Sequence, residues 1–131
     1  MGFKLSGATS YEWKVAGKLA NETYSFIAEF AFLDQERIDY LLVASARRAA
    51  LLQRGEDDPD LEGVNHRTIA AEVLVGWDGV TDDDGEPVDF TAASADKFLR
   101  IQGVAKAVCD AWAESLEGAR RGNSKASRGI G

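Results

Sequence analysis

Two segments near the N-terminus alternate apolar and polar residues, and that alternation constrains the fold more tightly than any other feature of the chain. In TSYEWKVA, residues 9–16, Tyr11, Trp13 and Val15 fall on one side, with Ser10, Glu12 and Lys14 on the other. In TYSFIAEFAF, residues 23–32, Tyr24, Phe26, Ala28, Phe30 and Phe32 share a side. A period of two places successive side chains on opposite faces of a strand, so each segment reads as a half-buried β-strand. GKLANE, residues 17–22, joins them with Gly and Asn, which predicts an antiparallel hairpin. Phe3 to Leu5 is a candidate for further strand.

The period then changes. Asp34 reads as an N-cap, with Leu33 and Ile38 placed as a hydrophobic staple. A helix is expected over 35–54, where Ile38, Leu41, Leu42, Ala46, Ala49 and Leu52 repeat at helical spacing and Gly55 ends it. EDDPDLEG, residues 56–63, reads as an exposed acidic linker. Residues 65–76 fit a helix capped by Asn65, with Ile69, Val73, Leu74 and Trp77 on one face, although EVLV alone also suits a strand. Thr91 caps a short helix, AASADKFLRI. Gly103 breaks it, and residues 104–116 form an amphipathic helix with Val104, Val108, Ala111 and Trp112 on its stripe. These elements predict an α+β fold: an N-terminal antiparallel β-hairpin followed by about four helices, mainly helical. Residues 1–117 are expected to form a single domain, and 118–131 a flexible basic tail carrying Arg120, Arg121, Lys125 and Arg128.

Charge and composition exclude several classes of function. A formal net charge of −7 over 131 residues repels nucleic acid from most of the surface. No apolar run approaches the roughly 18 residues of a membrane span, and Met1-Gly2-Phe3-Lys4 is not followed by a signal-peptide core. One cysteine, Cys109, makes neither an internal disulfide nor a zinc cluster, and it reads as a buried inert thiol. His66 is far from it in sequence and opens a helical pattern. There is no nucleophile elbow, Walker loop or dinucleotide fingerprint. The chain is therefore expected to be no enzyme and to need no cofactor.

The loop WDGVTDDDGEPVDF, residues 77–90, gathers Asp78, Asp82, Asp83, Asp84, Glu86 and Asp89. With Gly85 at the sixth position of a calcium loop, Asp82 and Asp84 fit, but Val80 and Thr91 stand where the two anchoring carboxylates belong. Asp84-Gly85 is a turn dipeptide and Pro87 forbids helix after it, so the stretch reads as a solvated turn rather than a metal site. Trp13, Trp77 and Trp112 are the candidate protein-binding residues, since tryptophan dominates both cores and interface anchors.

Residues 73–116 run VLVGWDGVTDDDGEPVDFTAASADKFLRIQGVAKAVCDAWAESL. They place an apolar segment ending in Gly76-Trp77 before an acidic Gly-Pro turn, a capped helix and a Gly-broken helix with Trp112 near its end. Together with FIAEFAFLDQERID upstream, this order resembles the tail assembly chaperones of siphophages, the phages with long non-contractile tails, over residues 9–116. The resemblance implies a non-enzymatic protein that binds the tape measure protein, keeps it soluble and helps recruit the tail tube protein. It implies action in the host cytoplasm, absence from the mature virion and, in many members, a second form made by ribosomal frameshifting. Such a chaperone is expected to expose an apolar groove or patch and to form a homo-oligomer or bind a coiled-coil-like client. The alternative is a structural virion component, a tail tube or connector subunit.

Overall fold

The computed structural model describes the backbone of residues 9–121 and the side chains of residues 9–118. The strand expected at Phe3–Leu5 lies outside the described residues, as does residue 122 onward of the expected tail. The hairpin forms with strands longer than the alternation marks. Strand β1 is Ser10–Leu19 and β2 is Glu22–Ala31, paired antiparallel from Ser10↔Ala31 to Leu19↔Glu22. The expected six-residue link shrinks to the turn Ala20-Asn21, because ladder pairing satisfies the backbone of residues 17–19. Ala20 has φ 56°, a left-handed conformation that costs an L-residue about 1–2 kcal/mol and glycine far less. Ala20→Gly is expected to raise stability by about 0.5–1 kcal/mol net of the entropy glycine adds to the unfolded chain, measurable as a higher calorimetric melting temperature.

The segment expected as one helix over 65–76 divides in two. Helix α2 covers only His66–Val73, and Leu74 turns to extended backbone with ψ 115°. Strand β3, Leu74–Asp78, then pairs antiparallel with β2, giving a three-stranded sheet in the order β1-β2-β3. The second edge of β2 needs partners for its backbone groups, and the Val, Leu and Trp of this segment suit a pleated surface; pairing outweighs the helix preference of the Ala pair. The ladder shifts between Glu29 and Phe30, where Phe30 pairs with Leu74 and leaves Val75 bulged and exposed.

The expected helix caps form. Asp34 accepts the Arg37 N–H at 2.9 Å and opens α1, Gln35–Gln53. Asn65 and Thr68 form a reciprocal box at the start of α2, and Thr91 and Ser94 another at the start of α3, Ala92–Leu99. Gly103, at φ 82°, separates α3 from α4, which runs Val104–Arg121, five residues past the expected end at 116. The fold is thus α+β, an N-terminal antiparallel hairpin followed by four α-helices, with the third strand of the sheet lying between α2 and α3.

One face of the sheet carries the core. Val15, Phe26, Ala28 and Phe30 pack with Val73 and Leu74 and with Val104, Val108 and Trp112 of α4. Tyr11 reaches Ser115, a buried hydroxyl, at 2.7 Å. Ser115 already donates its proton to the Trp112 carbonyl at 2.6 Å, so Tyr11 must be the donor in the pair. On the other face, Glu12, Lys14 and Ala16 of β1 are exposed, while Ile27 and Glu29 of β2 are half-buried.

Two further expectations change. Residues 56–63 are mostly exposed, as expected of the acidic linker, but they are also ordered and docked. Pro59–Leu61 forms a 3-10 turn, Leu61 and Val64 are buried, and Arg48 of α1 clamps the segment by donating to the carbonyls of Glu62 and Val64, both at 2.9 Å, and to Asp57 at 3.2 Å. On α1, the apolar positions do not form one inward stripe. The line facing the domain is Ile38, Leu41, Ala44, Arg48 and Leu51, while Leu42, Ala46, Ala49 and Leu52 are exposed.

Candidate functional site

Strand β1 pairs only with β2, so its outer edge is open among the described residues. Beside it runs α4, where Gly103 just ahead of the helix and Ala107 and Ala111 within it recur at helical spacing and leave room. Strand and helix together border a groove of about 1010 Å³, with Trp13 in its wall and Glu12, Lys14, Lys106, Asp110 and Glu114 around its rim. The small residues keep the groove open; the rim charges are of both signs. Lys106 and Asp110 pair at 2.8 Å one helical turn apart, and that hydrogen bond raises the Lys106 ammonium above its ordinary pKa.

The three tryptophans occupy different environments. Trp13 is half-buried, and its ring lies so close over Gly118 that a Cβ added there would sit 2.8 Å from it. Trp77 donates its indole N–H to the Val88 carbonyl at 2.7 Å and meets Phe90 and Phe98 edge-on, at centroid distances of 4.9 and 5.1 Å. It pins the acidic loop to the core. Trp112 is 3% exposed and belongs to the core. Only Trp13 of the three lines the groove.

Within the acidic loop, one Asp82 carboxylate oxygen accepts the N–H of Asp84 at 2.9 Å and of Glu86 at 3.0 Å. The Asp82 N–H donates to the Glu86 carbonyl and Gly85 N–H to the Asp82 carbonyl, both at 2.9 Å, and Gly85 sits at φ 79°. The carboxylate organises a tight turn. Among the described residues, no three His, Cys, Asp or Glu side chains are placed to hold a metal ion, and no helix is long and apolar enough to cross a membrane.

Cys109 and His66 do come together, but through the wrong atom for catalysis: the thiol lies 3.2 Å from the backbone carbonyl of His66. Burial, aided by the charge of Asp110, pushes the Cys109 thiol up to about 12. The unfolded chain gives up that proton near pH 8.5, so the thiol's contribution to stability is complete below that pH and is lost as pH rises toward 12. Tyr11 and Tyr24, also raised by burial, add to the fall above pH 10. Urea midpoints are expected to drop between about pH 9 and pH 11, and Cys109→Ala to flatten that drop. A slope identical in the variant would show that Cys109 does not titrate this way.

Sequence reasoning missed the outward face of α1. Leu42, Val43 and Leu52 are 41%, 67% and 52% exposed, with Ala46, Ala49 and Ala50 among them. The signal was present: α1 carries apolar residues on more sides than one contact can cover.

No curated protein and no solved structure matches this chain. A family model described as YdaY prophage protein matches residues 33–122, from the start of α1 through α4, and leaves the hairpin outside. Because that match spans well over half of the 131 residues, the chain belongs to the YdaY prophage protein family.

Proposed function

We propose that this prophage protein is a non-enzymatic tail assembly chaperone, which binds the tape measure protein, keeps it soluble in the host cytoplasm, helps recruit tail tube subunits and leaves before the virion is complete. The observation that carries the reading is the open groove between β1 and α4, with Trp13 in its wall and small residues along α4. A helical client with an apolar face fits such a groove, with Trp13 as an anchor and the mixed rim charges setting register. The net charge of −7 would keep the complex soluble. Membership in a prophage family and the resemblance to siphophage chaperones support the same role.

The test is co-expression with the tape measure protein of the same tail operon, followed by affinity capture and light scattering. Several copies of this protein per soluble client chain are expected, and Ala107→Arg, which fills the groove, should lower capture at least about tenfold. An insoluble client with this protein eluting alone would overturn the reading. The open edge of β1 favours one alternative, a tail tube or connector subunit that extends its sheet through neighbours. Detection of the protein in purified particles by mass spectrometry would decide for it.

A further inference from the structure

Helix α1 packs on the domain along one side and turns a second apolar side outward. At 100° per residue, Asp39, Leu42, Val43, Ala46, Ala49, Ala50 and Gln53 fall within an arc of about 120°. The spacing of three and four residues is that of a helix–helix seam. Val43, 67% exposed, is the most exposed large apolar side chain among the described residues, and the alanines beside it let a second helix approach closely.

The charges on this helix select the partner. Glu36 lies in the first turn, while Arg47 and Arg54 lie on the same flank toward the other end. We infer that the outward face of α1 is a homodimer interface, in which two copies of this chain pack their α1 helices antiparallel about Ala46. In that arrangement Ala46 faces its own copy, Val43 faces the second copy's Ala50, and Leu42 faces the second copy's Ala49. Glu36 lies about 15 Å to one side of the centre and Arg54 about 12 Å to the other, so each acid comes opposite a base of the other copy. A parallel pair would instead stack Glu36, Arg47 and Arg54 on themselves. The helix dipoles favour the antiparallel arrangement as well. Arg54 is free to exchange partners, since its pair with Glu56, at 3.4 Å, joins two side chains that are both more than half exposed. A contact made by one helix face from each copy stands at the small end of specific interfaces, roughly 1,200 Å² or less, so association in the micromolar range is expected. The inference does not rest on the chaperone reading, and its test needs no client.

The experiment is sedimentation of the full chain alone from about 1 µM to about 500 µM, across the expected dissociation constant. A concentration-dependent shift from monomer to dimer is expected. Ala46→Glu brings two like charges together at the two-fold axis and should weaken the dimer at least about tenfold, with an unchanged circular dichroism spectrum because the site is exposed. Glu36→Arg should weaken it too, and adding Arg54→Glu should restore it. This charge-swap rescue keeps the test independent of any loss of folding. A monomer throughout the range would overturn the inference. So would a dimer indifferent to Ala46→Glu, which would pair through another face. A monomer in which Ala46→Glu abolishes tape measure capture would overturn it in favour of a client on α1.

Discussion

Trp112→Ala is expected to lower the unfolding free energy by about 3–5 kcal/mol, the cost of removing a large aromatic from a closed core. Trp112 is 3% exposed, on the face of α4 that packs with Val108 and the sheet. Its removal takes away apolar burial and leaves a cavity that the surrounding backbone, tied by the sheet ladder, can only partly close. Against the 5–15 kcal/mol of a typical domain, that loss threatens folding itself. Trp13→Ala provides the contrast. Its ring is half-buried in the wall of the groove, so a smaller loss of stability is expected, together with a larger loss of client capture. Urea unfolding of the two variants, read beside affinity capture, separates them. A milder effect at Trp112 than at Trp13 would mean that the core has been misplaced.

Arg48→Ala is expected to cost about 2–3 kcal/mol, because hydrogen bonds from a charged donor are worth more than neutral ones and this guanidinium makes three. It holds the carbonyls of Glu62 and Val64 and the carboxylate of Asp57, and so fixes the acidic connection against α1. Its loss leaves two carbonyls short of a partner and loosens Leu61 and Val64, which are buried by the same docking. Arg48→Lys should recover only part, since one ammonium can stand in for the nitrogen that reaches both carbonyls but cannot also supply the second nitrogen that reaches Asp57. Proteolysis at residues 56–64 is expected to accelerate in both variants, which urea midpoints alone would not reveal. Full rescue by Lys would show that charge, not geometry, holds the connection.

The groove was only partly legible in the chain. Trp13 could be nominated from its residue type, but the groove depends on α4 lying beside the free edge of β1, a contact between residues roughly ninety positions apart. Likewise the role of Arg48 is invisible in sequence, where it is one of several basic residues on a helix. The Trp77 indole looked like a helical core position; pairing of β3 with β2 turned it instead onto the sheet, against Phe90 and Phe98.

What the sequence by itself determined are the features whose causes are local. Alternation set the two strands and their inward faces. Asp34, Asn65 and Thr91 set three helix starts, because each side chain satisfies amides within its own first turn. Gly85 and Gly103 set turns that need positive φ. What only the tertiary structure decided are the features whose energy comes from distant partners. The exposed edge of β2 drew Leu74–Asp78 out of the helix preceding it. The single face that α1 can offer the domain left its second apolar side outward, since a helix packed against one layer buries one stripe and must leave the opposite one to another partner or to water.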